Sequence, residues 1–343
     1  LIGLCCRQAQ VEILALFFTN LSIKMPSNTT DYYDYDSQDE VTYLNNLRML
    51  YMVGYLIICI LGLPLNFLVI AAGCYSYHNL KKTINGMWVL ALAMTHLLCS
   101  AFLPLQLVYA WHQFNWHYGP ALCKVSSYVI YVSMFTTAAA LSLWSVNSSV
   151  TSSKCCEGLR TRCVSHRMSM LLIMSSWTLG VVLSSPSLLS RELRYTTLGL
   201  QCIDDYDTEK EQTTDEGQRW LIVVVLFRFM LGILFPAFVM FINCCLARRQ
   251  HRDMDGTSKR VICLIKVAYF VCWTPLLFLG LLQITMTTPN LFKYMLPAAT
   301  VLAVAHCCAN PVIYLLVGCS IKLQWLSQRS DILGFFNWDT GYN

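Results

Sequence analysis

Seven stretches of about twenty mainly apolar residues recur along this chain, and they limit its fold more than any other feature. They run over roughly 49–75, 86–111, 121–148, 168–189, 220–246, 260–285 and 294–317. In hydrocarbon a segment must satisfy its own backbone groups, so stretches of this length are read as membrane-spanning helices. Of the 343 residues 56% are hydrophobic and 13% charged, more apolar sequence than a single soluble core needs. The expected fold is all-α, a seven-transmembrane helix bundle with a short amphipathic helix after the seventh span. Short connections make the bundle one unit over 49–317, between an N-terminal tail over 1–48 and a cytoplasmic tail over 318–343.

Basic residues set the orientation, because Lys and Arg concentrate in cytoplasmic loops. Lys81 and Lys82 follow span one, Lys154, Arg160, Arg162 and Arg167 follow span three, and Arg248, Arg249, Arg252, Lys259 and Arg260 follow span five. The opposite side carries acidic runs, over 31–40 and again from Asp204 to Glu216. The N-terminus is therefore expected outside a multi-pass plasma-membrane protein. A net charge of +5 reflects this asymmetry, and no basic groove or aromatic-basic module points to nucleic acid.

Residues 1–24 do not begin with methionine, and Met25, just before the polar acidic segment, is a candidate start of translation. Asn28-Thr29-Thr30 is a glycosylation sequon on the outer side, and Asn20-Leu21-Ser22 is a second if the leader is translated. Most of the seventeen cysteines lie in or near apolar spans, where a thiol behaves as a small hydrophobe. Cys123, at the outer end of span three, and Cys202, in the acidic outer loop, share an oxidising location that favours a disulfide. Two free thiols remain the alternative there.

Five of the spans also carry a marker: Gly62-Leu63-Pro64-Leu65-Asn66, Trp177, Pro236, Cys272-Trp273-Thr274-Pro275 and Asn310-Pro311-Val312-Ile313-Tyr314. Together these resemble the rhodopsin-like (class A) G-protein-coupled receptors over residues 41–325. Phe102-Leu103-Pro104, the segment 183–188, Arg228-Phe229 and the segment 296–300 look most like the chemoattractant branch, the formyl-peptide and chemerin receptors. The resemblance implies a receptor for an extracellular peptide or small protein, with a heterotrimeric G protein or arrestin as inner partner, no cofactor and no enzymatic activity. Arg228, Trp273, Tyr109, Tyr131 and Gln283 are then the candidate ligand-contacting residues. Pro236, Pro275 and Pro311 each remove an intrahelical hydrogen bond and create points about which a helix half can swing.

Several positions depart from the family pattern. The second-span carboxylate that helps hold sodium in such receptors falls on His96, and His306 stands at a matching place in span seven. Two histidines with Cys307 and Cys308 nearby have the donor types of a zinc site, but hydrogen-bonded buried histidines account for them, and no metal is expected. Counting from Cys123, the Asp-Arg-Tyr motif of span three lands on Asn147-Ser148-Ser149, and Cys244 replaces the span-five tyrosine that would reach toward Tyr314. Beyond residue 317 the serines and threonines that could be phosphorylated are Ser320, Ser327, Ser330 and Thr340. These losses put coupling to G protein or arrestin in question and open a second reading, a non-signalling scavenger or decoy receptor or a degenerate copy.

An arginine inside the bilayer zone is expensive unless it faces the bundle interior, so Arg228 is expected to have a purpose. Its planar fork suits a peptide's terminal carboxylate, against snorkelling to the interface or pairing with an internal acceptor. The segment 31–36 alternates tyrosine with aspartate, resembling sulfated tails of chemoattractant receptors. A transporter is disfavoured by the lack of internal repeats, a retinal pigment by the lack of lysine over 294–317, and an enzyme by the lack of a nucleophile-base or metal motif.

Overall fold

A computed structural model describes residues 30–75, 84–151, 162–196, 199–206, 214–249, 256–285 and 295–316. Helix α1 spans Thr30–Tyr75, α2 Ile84–Trp111, α3 Gly119–Thr151 and α4 Arg162–Leu183. Helix α5 runs over Asp215–Phe229, makes a π-helical turn at Met230–Leu234 and continues through Phe235–Arg249. Helix α6 covers Gly256–Thr285 and α7 covers Met295–Leu316. Seven of these helical segments are long and apolar enough to cross a membrane, with mean hydropathy from 1.5 to 2.5.

The helices match the expected spans within a few residues at most ends, and differ where local chemistry intervenes. Helix α1 begins at Thr30, well outside the expected start of span one, so the tyrosine–aspartate segment continues the helix outward. Helix α4 stops at Leu183, and Pro186 opens a separate five-residue helix, Pro186–Ser190, where proline's missing N–H costs nothing. The amphipathic helix expected after span seven, the leader and Asn28 lie outside the described residues.

The all-α bundle is joined by a short two-stranded sheet in the connection between α4 and α5. Strands β1, Arg191–Thr196, and β2, Gly199–Asp204, pair antiparallel with Arg191 opposite Asp204 and Leu193 opposite Cys202. Pairing the two halves of the loop satisfies backbone groups that would otherwise be stranded against the bundle. Gly199 has φ of +106°, a left-handed conformation that suits glycine, and β2 then docks on the α2–α3 connection. There Trp116 N–H donates to Leu200 O at 2.6 Å, and Leu200 N–H donates to Asn115 Oδ1 at 3.1 Å.

Helix α3 is the central element: 83% of its most apolar window is buried, against 22% for α1. Its neighbours come very close at Gly180 of α4, where an added Cβ would collide with Thr136 Oγ1 and lie 3.0 Å from the Thr136 nitrogen. The indoles of Trp88 and Trp144 stack between α2 and α3 with centroids 5.9 Å apart. The outer faces carry exposed Leu56, Ile60, Phe67, Leu171, Phe238 and Phe241. Apolar surface on this scale is stable only against lipid.

Candidate functional site

At the loop end of the bundle, Cys123 of α3 is bonded to Cys202 of β2, with their Cα atoms 5.6 Å apart. The bond ties the hairpin to the head of the central helix. An aromatic cluster of Tyr109, Phe114, Trp116 and Tyr118 packs edge to face around it. Tyr109 therefore belongs to the anchoring of the hairpin and stands 4% exposed.

Arg228 faces the bundle interior and is 2% exposed. Its guanidinium carbon lies 3.9 Å from the centroid of the Tyr131 ring, a close cation–π contact, and Nη2 donates to Ser187 Oγ at 3.0 Å. Its Nη1 is 3.7 Å from Asp204 Oδ2 and makes no hydrogen bond. Asp204 Oδ1 lies 3.3 Å from Arg191 Nη1, while Arg191 Nε donates to Cys202 Sγ at 3.3 Å. Burial opposes the charge on Asp204, yet nearby positive charge, to which Arg191 and Arg228 contribute, holds its carboxyl below the usual carboxylate range. Burial also pushes the nearby Tyr206 phenol up to about 12.

Of the five expected ligand residues, Arg228 and Tyr131 are thus brought together. Trp273 is 1% exposed and sits in the main apolar core with Leu276 and Leu277. Both side-chain polar atoms of Gln283 are buried without a hydrogen-bond partner. Sequence reasoning missed Asp204 and Ser187 as partners of Arg228, and Arg191 as the second cation on Asp204. The legible signal was the charge two residues after Cys202, but it stood in a longer acidic run and its partner depended on the hairpin register.

Deeper in the bundle, Asn66 donates from Nδ2 to the carbonyls of Gly62 and Cys307, each at 2.8 Å. The α-helical donor to Cys307 O would be the nitrogen of Pro311, which carries no hydrogen, so Asn66 supplies the missing bond. His96 replaces the expected carboxylate with a neutral network: Nε2 is 3.2 Å from Thr137 Oγ1 and Nδ1 is 3.4 Å from Asn310 Nδ2. The ring of His306 meets His96 edge to face, centroids 4.8 Å apart. Among the described residues no group of three or more His, Cys, Asp or Glu side chains is arranged to hold a metal.

The helix ends away from the hairpin carry the altered motifs. Asn147 donates to Ser169 Oγ of α4 at 2.9 Å, and half-buried Ser148 presents no cation. Cys244 is exposed on α5, while the hydroxyl of Tyr314 is buried without a hydrogen-bond partner. Pro275 lies within α6, two residues beyond Trp273.

Comparison with known proteins gives the arrangement its context. The family model described as "7 transmembrane receptor (rhodopsin family)" matches residues 65–314. Chemerin-like receptor 1 of Homo sapiens is 30% identical over 317 residues, covering 86% of this chain and 82% of the relative. Chemerin-like receptor 1 of Rattus norvegicus is 29% identical, over 84% of this chain and 81% of the relative. Chemerin-like receptor 2 of Mus musculus is 26% identical, over 91% and 88%. These proteins are receptors rather than enzymes, and the seven apolar helices, the proline-bearing spans and these likenesses agree: the chain belongs to the rhodopsin family of seven-transmembrane receptors and is related to the chemerin-like receptors.

Proposed function

We propose that this chain is a plasma-membrane receptor, N-terminus outward, for an extracellular peptide or chemerin-like chemoattractant, and that it couples weakly to G proteins. The observation that carries the ligand reading is Arg228, a buried cation inside a spanning helix whose Nη1 has no hydrogen bond. Such a group in the bilayer zone calls for an anion, and its fork fits a terminal carboxylate through two parallel bonds. Tyr131 supplies an aromatic face against it, and the disulfide ties the hairpin that carries Asp204 to the central helix. The basic inner loops and acidic outer segments support the outward N-terminus.

Weak coupling rests on the inner end. Opening toward a G protein requires contacts that differ between the two states. Here Asn147 is spent on Ser169, Ser148 is short and uncharged, and Cys244 points outward while Tyr314 has no partner. The same observations favour a second reading, a scavenger or decoy that binds ligand without signalling. Partners on the inner side are then dispensable, and lipid is the only constant neighbour.

One experiment separates the readings. The chain is expressed from Met25 with a surface tag, and binding of a chemerin-derived peptide is measured with nucleotide exchange in the same cells. Saturable binding with weak exchange supports the proposal, and binding with none supports the scavenger. No binding at verified surface expression overturns the ligand assignment.

A further inference from the structure

The anion that meets Arg228 in this protein comes from the chain itself. Asp204 is fully buried, with one carboxylate oxygen 3.3 Å from Arg191 and the other 3.7 Å from Arg228. It lies two residues from Cys202, whose bond to Cys123 fixes this end of β2 on the central helix. A carboxylate tethered so closely is present at a high effective concentration and cannot diffuse away. The neighbouring Asp205 is paired with Arg194 and is not a substitute.

The sharing is unequal and incomplete. Among the described residues two guanidiniums, those of Arg191 and Arg228, face this one carboxylate. Asp204 sits nearer Arg191, and the Arg228 nitrogen that faces it makes no hydrogen bond. A buried charged donor left open in this way is costly and is satisfied by any second anion that can reach it.

We propose that Asp204 is a built-in competitor for Arg228 and so decides which ligand termini the pocket accepts. The proposal rests on the reading of Arg228 as the ligand anchor. An incoming carboxylate takes Arg228 while Asp204 gives up its longer contact and stays on Arg191, so each guanidinium faces a carboxylate of its own. An amidated terminus brings no charge and leaves Asp204 where it is. Preference for an acid over an amide terminus is therefore set by how firmly Asp204 holds Arg228, and Arg191 tunes that hold by drawing the carboxylate toward itself.

The test measures binding of a fluorescent peptide from the C-terminal end of chemerin, as free acid and as amide, to tagged receptor on cells. Asp204→Asn removes the competitor's charge and keeps its shape, so the acid-to-amide affinity ratio rises about fivefold or more, the lower end of ordinary site coupling. Arg191→Gln releases Asp204 onto Arg228, so the ratio falls. A ratio unchanged or lowered in Asp204→Asn, where wild type already prefers the acid, overturns the competitor and leaves the anchor standing. No preference in wild type or in Asp204→Asn overturns the anchor, and the competitor with it. Should Asp204→Asn fail to reach the surface, Arg191→Gln decides alone, and an unchanged or raised ratio there overturns the proposal.

Discussion

The hydroxyl of Tyr269 on α6 donates to the carbonyl of Gly232 on α5 at 2.7 Å, in the fully buried centre of the bundle. Gly232 lies four residues before Pro236, so the helical donor its carbonyl would use is a proline nitrogen without hydrogen. The π turn Met230–Leu234 and this tyrosine together absorb the break. Asn66 does the same for Cys307 ahead of Pro311. Two of the three prolines read as pivots are therefore latched by side chains of neighbouring helices.

Tyr269→Phe leaves the Gly232 carbonyl without that donor while keeping the ring that packs on His306. Interhelical hydrogen bonds in membranes average about 0.6 kcal/mol and reach about 1.7. The expected loss is about 1 kcal/mol. Thermal unfolding of the purified protein should show a lower midpoint, and an unchanged midpoint would mean the latch contributes nothing.

Among the described residues the groups shown to meet His96 are Thr137, Asn310 and His306, none of them a carboxylate. An imidazole, neutral or protonated, supplies no anion for sodium. Ligand affinity is therefore expected to be the same in sodium chloride and in N-methylglucamine chloride at equal ionic strength. A clear sodium-dependent shift would show that another group coordinates the ion.

Agonist-stimulated nucleotide exchange in a reconstituted bilayer is expected to be weak, at most a small fraction of that of an intact relative. Ser148→Arg alone should recover only part of it, because Asn147 remains bonded to Ser169 and Tyr314 remains without its partner. Full recovery by that single change would place the whole defect at residue 148.

Asp204 makes a pH prediction with a definite sign. A carboxyl whose native pKa is depressed adds stability above its unfolded value, near 3.9, and loses it as pH falls toward the native value. The stability difference between wild type and Asp204→Asn should hold constant from about pH 8 to about pH 5 and shrink only below about pH 4. A difference that already closes between pH 7 and pH 5 would show that Asp204 is not held ionised by Arg191 and Arg228.

Much of this protein is dictated locally. Length and apolarity identify the seven spans, because hydrocarbon leaves a backbone no partner outside its own helix. The positions of Pro236, Pro275 and Pro311 are likewise plain, since a missing N–H is a property of the residue. What answers those gaps is not local: Tyr269 to Gly232 and Asn66 to Cys307 join residues 37 and 241 positions apart. The clearest case is Arg228. Its isolation in an apolar helix demands an anion, and that demand is visible in the chain alone. That Asp204 is the carboxylate of this chain that faces Arg228 depends on the hairpin register and on the bond from Cys202 to Cys123. Pairing across the loop sets which of several nearby carboxylates turns inward, and only the folded arrangement of loop against bundle makes that choice.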